Sequence, residues 1–311
     1  MDEKVKILVG KIPLVKGMVR FLKSIKLPFL NGMSLYEFLK HYTIGIIEGD
    51  LSYRAAAISF SFFMALFPFT LFILNLIPYI PIEGFQQDFL EFVEQGVPPR
   101  TYDAIATIIN DILNNSNSGL LSSGFMLSIF LMANGLNAVL SGFESSKNIA
   151  IKRPYVRQYL VAIAMSLLLT TVLFVTIATI IVFEVIIQQT ILQDVLSEKI
   201  SLIRIGRYIF VILMILMTTS ILFKFGIKRD KRRAFITVGS VTTTILILLS
   251  SYGFGIWVEK FSKYNELYGS IGTLLIMMFF IWINCIILLL GFELNAIINK
   301  HKNNFKQQKY D

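Results

Sequence analysis

An all-α, polytopic membrane protein with six transmembrane helices is the fold that this 311-residue sequence predicts, and three observations predict it. Apolar residues make up 55% of the chain and charged residues only 16%, with a mean hydropathy of +0.68. Soluble domains carry about 25% charged residues because water must wet their surface. Six stretches are long and apolar enough to cross a hydrocarbon core about 30 Å thick. Finally, the 29 Lys and Arg residues divide 23 to 6 between the two sides of those stretches.

Taken in order, residues 1–33 alternate Lys or Arg with Val, Ile, Leu, Met and Phe, and lack the uninterrupted apolar run of a cleavable signal. They read as a basic segment lying on an anionic inner leaflet, or as a basic tail. From Ser34 to Glu48 an N-cap serine, Glu37 three positions on, and apolar residues at helical spacing predict a capped surface helix.

The membrane domain, residues 34–298, holds spans at about 55–80, 120–143, 159–187, 202–223, 234–258 and 269–298. None has a charge near its middle, and none shows the alternation of a membrane β-barrel. In lipid the helix is then the way to satisfy the backbone. The 81–119 loop is acidic and carries two apolar stripes separated by Val97-Pro98-Pro99. It predicts two short amphipathic interfacial helices over the outer mouth, with docking of an envelope protein partner as the second reading. Residues 299–311 form a basic tail.

The charge asymmetry places both termini in the cytoplasm. It also accounts for the net charge of +9. Nucleic-acid binding needs basic residues gathered on one face, whereas these are spread over four juxtamembrane segments, so no nucleic-acid partner is expected.

The informative residues within spans are the costly ones. Pro68 interrupts the first span and marks either a substrate site or a kink. Asn134 and Asn137 form a polar cluster in the second, read as glue between helices or as a lining for polar substrate. Arg54 opens a helix while Glu144 and Glu293 close helices, so each opposes the helix macrodipole. Arg54 is therefore expected to pair with one or both carboxylates. A single Cys excludes a disulfide framework, and Cys285 reads as inert packing. His41 and His301 have no ligand spacing around them. No phosphate loop, nucleophile elbow or zinc-protease motif is present, so neither cofactor nor metal nor enzyme chemistry is expected.

Three stretches carry a resemblance: Arg54-Ala55-Ala56-Ala57 through Phe67-Pro68; Asn134 to Glu144 ahead of a basic loop; and Tyr268-Gly269-Ser270-Ile271-Gly272 followed by Trp282 and Gly291-Phe292-Glu293-Leu294-Asn295. Together they resemble the YihY/BrkB family of bacterial inner-membrane proteins over about residues 35–298. Phe292 stands where that family usually has a small residue, and Asn284 where it has an aromatic. The resemblance implies a six-helix inner-membrane protein, once mislabelled a ribonuclease, with a link to envelope lipids. It adds Gly269 and Gly272 to Arg54, Pro68, Asn137, Glu144 and Glu293 as candidates. The function expected is a transporter- or flippase-like protein whose partners are membrane lipids or another envelope amphiphile. A membrane scaffold that recruits envelope machinery is the alternative, and a ribonuclease a distant, disfavoured third.

Overall fold

The structure, a computed structural model, describes residues 13–26, 34–48, 50–76, 118–146, 148–149, 153–189, 202–227, 234–260 and 270–307. They are helical throughout: α1 (Pro13–Ser24), α2 (Leu35–Glu48), α3 (Leu51–Leu76), α4 (Ser118–Glu144), α5 (Tyr155–Gln189), α6 (Leu202–Phe225), α7 (Val238–Lys260) and α8 (Ser270–Gln307). The six from α3 to α8 are long and apolar enough to span a bilayer. The 81–117 stretch, where the acidic loop is expected, lies outside the described residues.

Local chemistry sets the helix starts. Pro13 begins α1, where a missing N–H costs nothing. At α2 the capping box is complete: Glu37 N–H donates to Ser34 Oγ and Ser34 N–H to Glu37 Oε2, each at 3.3 Å. Asp50 turns the chain from α2 into α3 with a φ of 47°, a left-handed conformation that aspartate tolerates better than most side chains. Pro154 precedes α5, and Thr237 caps α7 by exchanging hydrogen bonds with Ser240.

The six spanning helices form a closed ring, each packed on its sequence neighbours and α8 returning to α3. Helix α2 lies against α8 and α3, and α1 against α2. At one end of the ring the starts of α3 and α5 meet the ends of α4 and α6, and the start of α7 meets Asn295 within α8. Buried side chains, among them Ala55, Ile58, Leu140, Phe143, Leu222 and Leu289, concentrate in the half nearer that end. By contrast Tyr208–Thr218 of α6 and Ile245–Val258 of α7 are half-buried or exposed throughout. Such a distribution is stable in lipid, where apolar exposure carries no hydrophobic penalty.

Two close approaches tighten the packed half. Phe143 and Phe292 stack with centroids 4.0 Å apart and planes 4° from parallel, and Phe223 meets both edge-on. Phe292 thus fills its place between α4 and α6. Across the α7–α8 seam, Gly239 and Gly291 bring the backbones together, and a Cβ on Gly291 would collide with Thr243 Oγ1.

Two local expectations need correction. Helix α3 continues through Pro68 to Leu76, so the first span is not broken there. Glu293 does not close its helix either: α8 runs on to Gln307, which leaves Glu293 far inside it, beyond the last turn in which the dipole acts.

Candidate functional site

Among the described residues, the packed end of the ring holds three buried charges. Arg54 is 8% exposed, Glu144 5% and Glu293 1%. A buried ion needs compensation, because desolvation costs several kcal/mol per charge.

Arg54 projects from the first turn of α3 and donates from Nη1 to Gly142 O of α4 at 2.7 Å. Gly142 O is among the last four carbonyls of α4, which have no partner within their own helix. Arg54 therefore opposes the dipole of its own helix but satisfies the negative end of its neighbour. Its charge is also attracted by Glu293 and, more weakly, by Asp50. Arg54 Nε is buried without a hydrogen-bond partner.

Glu293 sits where four segments converge. Asn148 Nδ2, from the turn after α4, donates to Glu293 Oε1 at 2.6 Å, and Asn148 Oδ1 accepts from Lys300 Nζ at 3.2 Å. On the α2 side Gly45 lies so close that a Cβ there would stand 2.5 Å from Glu293 Oε1. Tyr42, one turn earlier, donates its hydroxyl to Leu290 O at 3.1 Å. Burial, then the negative charge of Glu293, pushes the Tyr42 phenol up to about 12. Glu293 Oε2 is buried with no partner.

Glu144 belongs to a second arrangement. Both its oxygens accept the backbone N–H of Arg153, at 3.2 and 3.1 Å. The Arg153 guanidinium in turn donates to Gly226 O and Phe225 O at the end of α6. Burial lowers the Arg153 pKa from its ordinary value, and Glu144 draws it back up. The pairing expected of Arg54 with a carboxylate is not made as a hydrogen bond: Arg54 bonds Gly142 O and its charge is attracted by Glu293, Glu293 Oε1 is held by Asn148, and Glu144 by the Arg153 backbone.

The same device recurs at the third seam, where Asn295 of α8 accepts the N–H of Gly239 and donates to Thr237 Oγ1 at the start of α7. Three of the ring's seams are thus closed at this end by a polar side chain bonded to the end of a neighbouring helix.

The other candidates lie elsewhere. Asn134 Oδ1 accepts from Tyr159 OH at 3.0 Å, and Asn137 Oδ1 accepts from Gln158 Nε2 at 3.0 Å, so both asparagines join α4 to α5. That geometry is glue between helices. Pro68 is half-buried on α3, and Gly272 is buried near the start of α8. Gly269 lies outside the described residues. Sequence reasoning passed over Asn148, Arg153, Gln158, Tyr42 and Gly45. Only Gly45 carried a local signal, as a small residue on the otherwise large apolar stripe of α2.

A family model described as virulence factor BrkB matches residues 45–311. The ribonuclease-like protein YfkH of Bacillus subtilis is 27% identical over 272 residues, covering 86% of this chain and 96% of that protein. UPF0761 membrane proteins from several Coxiella burnetii strains are 20% identical over 280 residues, covering 86% of this chain and 97% of theirs. No solved structure matches the chain.

Proposed function

The chain belongs to the virulence factor BrkB family of membrane proteins, and from that premise we propose that it is a transporter- or flippase-like protein handling a lipid or another envelope amphiphile in the bacterial inner membrane. The observation that carries this reading is Glu293, a carboxylate 1% exposed inside a spanning helix with one oxygen unpartnered. An ionisable group buried within a spanning helix is costly and marks function by default. The contrast between a capped, packed end and a loosely packed opposite half supports it further. By the bias of Lys and Arg, the capped end faces the cytoplasm and the looser half faces outward. On this reading the protein is not an enzyme, and any driving force comes from a gradient or a partner.

The test is reconstitution in liposomes carrying a fluorescent phospholipid, comparing the parent with Glu293→Gln and Arg54→Ala. The parent is expected to speed lipid redistribution between leaflets, and both variants to slow it. Identical redistribution in parent, variants and empty liposomes, beside a working control flippase, rules transport out.

A further inference from the structure

We propose that the cleft between α5 and α6 is a saturable site for one acyl chain of a bilayer lipid. The inference is independent of transport, since a scaffold would hold a lipid by the same contacts.

The cleft has a volume of about 340 Å³ and is walled by Val172, Val175 and Thr176 of α5 and Phe210, Met214 and Met217 of α6. Its position follows from how the two helices pack. Buried side chains such as Met165 and Ser166 on α5, and Ile221 and Leu222 on α6, lie toward the capped end. The cleft opens beyond them, in the half of both spans remote from that end. That is the depth of lipid tails, away from headgroups and water.

The wall is apolar even where the sequence is not. Thr171, Thr176 and Thr179 each turn the hydroxyl back onto a carbonyl one turn earlier, Leu167 O, Val172 O and Val175 O, at 2.7 to 2.9 Å. Among the described residues no charged side chain lines the cleft. Water there would lack the two to four polar partners it needs, so the cleft is filled by hydrocarbon. The alternative occupant is a helix from a second copy of this chain. A helix about 11 Å across is too thick to enter the cleft and could place only side chains in it, whereas a single acyl chain is thin enough to lie in it. The volume falls at the lower end of the roughly 300–1,000 Å³ of small-molecule sites. Met214 and Met217 supply flexible thioethers that adapt to an irregular chain.

The experiment places the full chain in nanodiscs of phosphatidylethanolamine and phosphatidylglycerol containing a trace of phosphatidylglycerol with a photoactivatable diazirine in mid-chain. After irradiation, adducts are mapped by mass spectrometry. Residues 172–179 and 210–217 should be labelled several-fold more than Leu249 of α7, which is as exposed as any large apolar side chain among them, and labelling should saturate as the probe is raised. Filling the cleft with Val175→Phe together with Met217→Phe should lower adducts on both walls while leaving those on α7 unchanged. Should the double variant not fold, as judged by elution and α7 labelling, the parent pattern decides alone. Labelling of the parent in proportion to exposure everywhere, rising linearly with probe, overturns the proposal. So do photo-crosslinks between two copies of the chain through these residues.

Discussion

The Asn148 side-chain amide donates to Glu293 Oε1 at 2.6 Å, joining the turn after α4 to the interior of α8. Asn148 also accepts from Lys300, so a neutral amide relays a positive charge toward the buried carboxylate without bringing the ions together. Hydrogen bonds to charged groups contribute about 1.5–3 kcal/mol, and losing one partner strands the other. Asn148→Leu is therefore expected to destabilise the detergent-solubilised protein by about that amount. Glu293→Gln, which keeps shape and a carbonyl oxygen, should cost less. Thermal unfolding of the three proteins side by side checks the order; an Asn148→Leu midpoint equal to the parent's removes the case for this contact.

How much of this was legible beforehand differs by level. The six spans follow from the length and hydropathy of their stretches, since lipid leaves the backbone few choices, and the Ser34–Glu37 capping box is a local signal that the fold keeps. The extent of α8 was not legible. Hydropathy ends near Ile298, but the helix continues through Lys300–Gln307 because polar side chains do not break it. Nor could spacing assign Glu144 to the Arg153 backbone and Glu293 to Asn148. Those partnerships depend on which helix ends meet around the ring, a relationship between segments distant in sequence.

Aromatic stacking gives a second prediction. Phe143 and Phe292 lie 4.0 Å apart and nearly parallel, both fully buried. Truncating either to Ala should cost about 3–5 kcal/mol through the cavity it leaves. Because each loses the same partner, the double variant should cost less than the sum, by about 0.5–1.5 kcal/mol for the stacked pair. Strict additivity in a double-mutant cycle would show that Phe292 merely fills space.

At the α7–α8 seam the structure predicts a rescue. A Cβ at Gly291 would strike Thr243 Oγ1, a buried hydroxyl with no hydrogen-bond partner. Gly291→Ala should destabilise by about 1–3 kcal/mol through overpacking. Thr243→Ala, which removes an unsatisfied group, should be nearly neutral, and combined with Gly291→Ala it should recover most of the loss. Thr243→Ser keeps the hydroxyl and should not rescue. Equal behaviour of Ala and Ser at position 243 in the Gly291→Ala background would refute the close contact.

Tyr42 offers a titration that reports on Glu293 from outside the spans. Its phenol is raised from the ordinary value near 10 to about 12, first by burial and then by the negative charge of Glu293. Both causes disfavour the phenolate in the folded protein. The sign follows: stabilisation from the neutral phenol is complete below pH about 10, declines above it, and is lost as pH passes about 12. In an absorbance titration Tyr42 should ionise late, and the difference between parent and Tyr42→Phe isolates it. Glu293→Gln removes the second cause and should lower the Tyr42 midpoint only partway, because burial remains. A Tyr42 midpoint at the ordinary value in the parent would mean that α2 is not seated against α8, and with it the shielding of Glu293 by Gly45 would fall.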